Sequence, residues 1–206
     1  EGITYWPVAE ILRQAAGIQA SDAESDVAAK LDAFIDALPT GDLDHLRTIA
    51  SALSHLIGAR ATPRGTSSTT EISQAELHWG IRRTLELATA ERPLVVVIED
   101  LHWAEPTLVE LVESLAAADA AAMLLVTCRP EGLDQHPRLG ADGAGRALLE
   151  LGALDTAASE QLVETLLAPL LEQGLPRAAV DRLVVNAGGN PLFLEETARV
   201  LADEYA

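Results

Sequence analysis

Two short apolar runs constrain the fold of this chain more than any other feature of its sequence. Leu94–Ile98 reads LVVVI, and Met123–Thr127 reads MLLVT. Neither run alternates with polar residues, and such runs are typical of strands that are buried on both faces of a parallel sheet. Between them, from Pro106, apolar residues recur at the spacing of a helix. We therefore predict a strand–helix–strand unit with a right-handed crossover.

Helical patterns come before this unit. Apolar residues at helical spacing predict helices that begin near Trp6, Ser25, Asp42 and Gln74. The segment Arg60–Thr70 is rich in Pro, Gly, Ser and Thr, so we predict a surface loop there. The part of the chain that precedes the first strand is therefore predicted to be mainly helical.

The last third of the chain is predicted to add one weaker strand and a helical domain. The strand is Ala147–Leu151, which follows a glycine-rich connection. Further helices are predicted at Thr156–Leu171, Pro176–Ala187 and Pro191–Glu204. We place an α/β core at residues 1–152 and a small helical domain at residues 153–206.

Composition excludes several classes of protein. The formal net charge of -18 is spread along the chain and repels phosphate backbones, so we expect no direct contact with nucleic acid. A single cysteine, Cys128, allows no internal disulfide and fits a reducing, cytoplasmic compartment. No apolar run approaches the ~20 residues that cross a bilayer, so we expect no membrane segment. Met123 is the only methionine, and we expect that polypeptide precedes Glu1 in the natural protein.

Two adjacent carboxylates, Glu99 and Asp100, directly follow the first predicted strand. Open α/β sheets bind their ligands at the carboxyl ends of the strands, which makes this pair a candidate site. The alternative is an acidic pair that ends a strand and faces solvent. The residues that come next, His102 and Trp103, favour the functional interpretation, because the stretch that includes them resembles a motif of a known protein family.

The string VVVIEDLHWAEP, residues 95–106, resembles the Walker B region of STAND-type, AAA-like P-loop ATPases. These modules occur in large LuxR-type bacterial transcriptional regulators and in multidomain adenylate and guanylate cyclases. Glu99 and Glu105 stand where the family usually has Asp. Three other strings are similar to the same family in the same order: EGITYWPVAEILR, MLLVTCRPEG and NAGGNPLFLEE. Together they cover nearly the whole chain.

The resemblance implies an incomplete P-loop NTPase sheet, parallel and flanked by helices, followed by a small all-helical lid domain. It implies ATP and Mg²⁺ as cofactors of the intact parent protein. Glu99 and Asp100 would hold the Mg²⁺ ion, and Asp100 would polarise the attacking water. Arg129, at the end of the sensor-1 strand, would detect the terminal phosphate. The alternative for Arg129 is an ordinary surface arginine.

The same resemblance assigns a nucleotide contact to the lid. Pro191 would pack against the adenine base, while Gly189 and Asn190 would shape the turn before it. Without the family, this stretch would be a plain turn between helices. His102 and Trp103 are predicted to be structural, with Trp103 packed beneath the loop after the strand.

One element of such an ATPase is missing from these 206 residues. A phosphate loop reads Gly-x-x-x-x-Gly-Lys-Ser/Thr, and the only lysine, Lys30, follows Ala29 within a predicted helix. We expect the phosphate loop, with the first and second strands, to lie upstream of Glu1. The chain alone is then expected to be inactive and not to bind ATP or Mg²⁺.

These observations predict a fragment of an ATP-binding regulatory switch of a bacterial signalling or transcription-regulatory protein. The alternative is a catalytically degenerate domain that serves as an interaction scaffold. The expected partners are the upstream phosphate-loop segment and a downstream output domain. In the family's strand order, 5-1-4-3-2, Ala147–Leu151 would be strand 5. We expect strand 5 to slide against strand 4, which is Met123–Thr127, or two copies of the chain to pair or swap across the bare strand edges.

Overall fold

The computed structural model describes residues 4–58, 72–141, 143, 145–172 and 175–205, so the predicted loop at Arg60–Thr70 lies outside the described residues. The chain divides into two compact units, Glu1–Asp142 and Gly143–Ala206. Within the described ranges, no helix combines the length and the apolar character that crossing a membrane requires.

The helices predicted before the first strand are confirmed. They are α1 (Trp6–Ala15), α2 (Glu24–Asp36), α3 (Leu43–Ile57) and α4 (Gln74–Ala88). Their starts follow from capping chemistry. The Asp42 carboxylate accepts hydrogen bonds from the first backbone amides of α3, and Ser73 forms a reciprocal capping box with Glu76 at the start of α4. Gly58, in the left-handed conformation, ends α3.

The strand–helix–strand unit is confirmed as well. Strand β1 (Leu94–Ile98) pairs in parallel with β2 (Ala122–Val126), and helix α5 (Pro106–Ala116) lies between them in the chain. A single turn of 3-10 helix, Leu101–Trp103, follows β1, and the short helix α6 (Pro130–Gln135) follows β2.

The prediction that both strands are buried on both faces is wrong. One face packs on the core: Ile98 is buried and Val96 is partly buried. On the other face, four apolar side chains are 48% to 63% exposed: Val95, Val97, Met123 and Leu125. Both faces of each strand carry apolar side chains, so the sequence gives no sign that the faces differ. In the structure, the described residues cover only one of the two faces.

The core beneath the sheet is formed by helices. Leu108, Leu111 and Val112 of α5 are buried together with residues of α4 and β1. Helices α3 and α4 approach closely, since a Cβ added at Gly80 would overlap the Cβ of Ala52. This layer supports the carboxyl ends of the two strands.

The predicted third strand at Ala147–Leu151 is also wrong. The sheet contains β1 and β2, and residues 147–155 form neither helix nor strand. Leu148, Leu149 and Leu151 are 54% to 87% exposed. An extended segment without a hydrogen-bonded partner strand buries too little surface to offset the entropy of ordering it. The expected place of this segment as strand 5 is therefore not observed.

The second unit is helical, as predicted. It contains α7 (Thr156–Glu172), α8 (Arg177–Ala187) and α9 (Pro191–Tyr205). These helices share a core of their own, in which Val163, Leu167, Val180 and Leu194 are fully buried. The core holds the turn between α8 and α9 in place.

Candidate functional site

The carboxyl ends of β1 and β2 meet at one edge of the sheet, because the strands are parallel and Ile98 lies opposite Val126. Thr127 joins the two loops that begin there. Its backbone N–H donates to the carbonyl of Ile98 at 3.0 Å, and its carbonyl accepts from the N–H of Leu101 at 2.9 Å. Its hydroxyl oxygen accepts from the N–H of Asp100 at 3.0 Å. The backbone around Asp100 is therefore fixed.

Asp100 adopts a left-handed backbone conformation, with φ 55° and ψ 38°. It is the one non-glycine residue with positive φ in the described ranges. Aspartate tolerates this region better than most residues, but the conformation still costs free energy. The fixed backbone turns the Asp100 side chain outward, where it is 73% exposed. Glu99 is also exposed. Both carboxylates thus face water at the edge of the sheet.

Arg129 lies at the same edge, three residues after β2. It is the residue that precedes α6, its backbone is extended, and it is exposed. Its guanidinium forms no ion pair with any residue that the structure describes. The structure therefore brings Glu99, Asp100 and Arg129 to one edge and leaves their charges available, but it assigns them no chemistry by itself.

The loop after β1 places its two aromatic residues differently from the prediction. Trp103 is 78% exposed and does not pack beneath the loop. Leu101 points into the core, and a 3-10 turn of about three residues per turn carries Trp103 away from that direction. The ring of His102, by contrast, is buried, with 8% of its side-chain surface exposed. A Cβ added at Gly132 would overlap Cys128 Sγ and His102 Cβ, so the three residues are closely packed.

Two side-chain contacts join the segment just before α1 to other parts of the first unit, one at the end of this loop and one in α4. Thr4 donates to the carboxylate of Glu105, and the hydroxyl of Tyr5 lies 2.9 Å from His78 Nε2. Burial raises the pKa of Tyr5. Burial also lowers the pKa of His78, although the carboxylate of Glu110 acts in the opposite direction. The contact between Thr4 and Glu105 thus anchors the C-terminal end of the loop.

The donor set at the edge fits a magnesium ion that is completed by other ligands. Among the described residues, no group of three or more His, Cys, Asp or Glu side chains could hold a metal ion. Mg²⁺ commonly uses one or two carboxylates together with water and substrate phosphates. Glu99 and Asp100 are adjacent, exposed carboxylates, which suits that mode of binding.

The other three predicted site residues lie in the second unit, in the turn between α8 and α9. Gly189 has φ 79°, and a Cβ there would overlap the carbonyl oxygen of Leu154. The Gly189 carbonyl also accepts a hydrogen bond from the N–H of Leu154 at 2.9 Å. The Asn190 side chain accepts from Leu192 N–H at 3.0 Å and thus caps α9. Pro191 is exposed at the first position of α9.

Sequence reasoning missed two residues of the first group. Thr127 was expected only as the end of a strand, yet it holds both loops together. Gly132 leaves the space in which Cys128 and His102 pack. No sequence signal singled out Gly132, because no helix was predicted at Pro130–Gln135.

Comparison with known proteins agrees with these observations. The profile of the protein family described as "AAA ATPase domain" matches residues 1–127. An uncharacterized protein of Rhizobium meliloti (strain 1021) is 27% identical over 158 residues, which cover 72% of this chain and 14% of that protein. The chain thus corresponds to a small part of the length of this curated relative. No solved structure matches the chain.

Proposed function

The chain belongs to the AAA ATPase domain family, and from this premise we propose that it is part of an ATP-dependent regulatory switch. One observation carries the proposal. The parallel pairing of β1 and β2 places two exposed carboxylates and an exposed arginine at one carboxyl edge, which is where open α/β sheets bind their ligands. None of these three side chains makes a hydrogen bond to a described residue, so the fold alone does not explain their presence at this edge.

Each residue has a proposed role in the intact protein. Glu99 and Asp100 would hold Mg²⁺, and the bound ion would supply positive charge to the phosphates of ATP. Asp100 also accepts a proton from, or orients, the attacking water. Arg129 contacts the terminal phosphate and stabilises the charge that develops there.

The turn of the second unit is proposed to contact the base of ATP. Pro191 is exposed at the start of α9, and its ring offers an apolar surface to adenine. Gly189 and Asn190 support that surface, since their own hydrogen bonds fix the turn. We propose a nucleotide-binding role for these three residues on the basis of the NAGGNP string and this geometry.

We propose that the switch belongs to a cytoplasmic bacterial signalling or transcription-regulatory protein of the LuxR or cyclase type. The VVVIEDLHWAEP string supports this context. Its partners would be a phosphate-loop segment and an output domain in the same polypeptide. We propose that a second copy of the chain pairs with the outer edges of the two-stranded sheet, which no other strand of the described residues covers.

One observation favours a second candidate, a degenerate scaffold domain. The 206 residues contain no Gly-x-x-x-x-Gly-Lys-Ser/Thr loop, so the chain lacks its own cradle for phosphates. On this alternative, the module keeps its fold and uses its surfaces for protein contacts only.

The test compares the chain with a longer natural polypeptide that carries a phosphate loop. The 206-residue chain is expected to release no phosphate from ATP. In the longer protein, Asp100→Asn should lower kcat at least ~100-fold while the Kd for ATP changes little, because a water-polarising acid acts in the transition state.

The matched control for this test is Glu91→Gln, at an exposed carboxylate near the opposite end of β1. It should leave kcat unchanged. Failure of the wild-type longer protein to bind ATP would favour the scaffold.

A further inference from the structure

The imidazole of His102 is buried without a hydrogen-bond partner. Its side chain is 8% exposed, and neither Nδ1 nor Nε2 has a partner within the part of the chain that the structure describes. A buried polar group that lacks a hydrogen bond costs about 1–3 kcal/mol. An apolar residue of similar size would avoid this cost, so the packing of the core does not explain a histidine here.

One polar group lies near this ring. The Oδ1 atom of Asp100 is 3.8 Å from His102 Nδ1, which is too far for a hydrogen bond. The backbone of Asp100 is fixed by its hydrogen bond to Thr127, while its carboxylate is exposed and has no other partner among the described residues. Rotation of the Asp100 side chain alone could therefore shorten the distance to the usual ~2.9 Å.

The ring itself has little freedom to move. Gly132 approaches the Cα and Cβ atoms of His102, and the ring of Trp103 lies with its centroid 5.1 Å away. A closely packed ring beside an exposed carboxylate with no hydrogen bond is an arrangement in which a donor can fix the direction of an acid.

We propose that His102 is a positioning residue for Asp100: its Nδ1–H donates a hydrogen bond to the carboxylate and limits the directions in which that carboxylate points. In the tautomer that carries its proton on Nδ1, Nε2 is an acceptor. The consequence for turnover rests on the proposed function, since it assumes that Asp100 acts on water. The hydrogen bond itself does not depend on nucleotide.

The first experiment measures the tautomer of His102 in the 206-residue chain. Long-range ¹H–¹⁵N spectra of protein labelled at histidine distinguish Nδ1–H from Nε2–H. The expected result is the Nδ1–H form for His102 and loss of its predominance in Asp100→Gly. Glycine removes the acceptor and accepts the left-handed backbone conformation of residue 100. Exposed His55 is the internal reference and should not change.

An Nε2–H tautomer in the wild type would overturn the proposal, and so would a His102 signal that is the same in Asp100→Gly. Because residue 100 is exposed and needs no new backbone conformation, this variant is expected to fold. The result therefore decides the hydrogen bond even if substitutions of the buried histidine fail to fold.

The second experiment measures the consequence in a longer, ATP-hydrolysing polypeptide. His102→Phe keeps a ring and removes both nitrogens. It should lower kcat about tenfold with the Kd for ATP unchanged, as outer partners of catalytic groups do. His102→Gln keeps an N–H donor and should recover part of kcat.

An unchanged kcat in His102→Phe would overturn the positioning role. Absence of ATP binding in the wild type would instead overturn the proposed function, and with it the consequence for turnover. In that case the tautomer measurement would still decide the contact between His102 and Asp100.

Discussion

The carboxyl edge of the sheet and the turn before α9 each carry three predicted site residues. At the edge they are Glu99 and Asp100, in the loop after β1, and Arg129, after β2. The two regions differ in how far local hydrogen bonds already account for these residues. In the turn, the Asn190 side chain caps α9, and Gly189 meets the backbone of Leu154 at close range. In the loop region, the carboxylates of Glu99 and Asp100 face water without a direct hydrogen bond. The turn can be explained by its own structure, and the loop cannot.

The weight of a sequence motif as evidence for function depends on whether the fold already uses the polar groups of its residues. A residue whose donors and acceptors are all used locally is accounted for by folding, whatever else it contacts. A residue whose charge is left free, or whose polar atoms are buried without partners, is better explained by function. By this criterion Asp100 and His102 are stronger candidates for chemistry than Gly189 and Asn190.

The largest expected effect is on the turn. Gly189→Ala places a Cβ against the carbonyl of Leu154 in a left-handed conformation, and it should destabilise the second unit by about 3 kcal/mol. Gly188→Ala is the matched control, because that glycine also has positive φ but has open space around its Cα. It should cost about 1 kcal/mol.

Urea denaturation separates the two units in this experiment. All three tryptophans lie in the first unit, at positions 6, 79 and 103, so their fluorescence reports that unit. Far-ultraviolet circular dichroism reports both. Gly189→Ala should change the dichroism transition and leave the fluorescence midpoint in place. Equal costs for the two glycine variants would show that the contact with Leu154 does not hold the turn.

The sequence predicts local structure here better than it predicts surroundings. The helices follow from the helical spacing of their apolar residues. The two strands and their parallel crossover follow from two uninterrupted apolar runs with a helical pattern between them. Within the described residues, one face of the sheet is uncovered and the segment at 147–151 has no partner strand. Neither feature follows from the sequence, because burial and strand pairing depend on which other elements are present. The direction of the Trp103 side chain is set by its position in a 3-10 turn. That turn has only three residues, which is too few for a sequence pattern to predict it.

The same limit applies to the candidate site. The apolar run that ends in Glu99 and Asp100 predicts where the carboxylates lie, because strands of this kind end at the ligand-binding edge. The hydroxyl of Thr127 that fixes Asp100, and the buried ring of His102 beside it, result from contacts between segments distant in sequence.

A smaller effect is expected from pH, and it should distinguish the two units. All five histidines lie in the first unit. Burial lowers the pKa of His78 below its ordinary value of 6.5, so the unfolded chain takes up this proton first as pH falls. The contribution of neutral His78 to the stability of the first unit should be fully present at pH 8 and decrease as pH falls through 6.5 towards the lower folded value.

Tryptophan fluorescence in urea at several pH values measures this dependence. His78→Gln removes the titrating group and should flatten the dependence between pH 8 and pH 5.5. Tyr5→Phe is the matched control, because it removes the hydroxyl partner at 2.9 Å and keeps the histidine. A slope that is unchanged in His78→Gln would assign the dependence to another group.

The smallest expected effect on stability is at Glu99. Its side chain is exposed and has no partner among the described residues, so Glu99→Gln should change the free energy of unfolding by less than ~0.5 kcal/mol. Asn190→Ala, which removes a helix cap, should cost about 1 kcal/mol. Thermal denaturation of both variants compares a carboxylate that folding leaves free with a carboxamide that folding uses. If Glu99→Gln destabilised the chain as much as Asn190→Ala, the Glu99 carboxylate would have a structural partner. The loop and the turn would then no longer differ in this respect, and the free carboxylate would no longer favour a functional role for the loop.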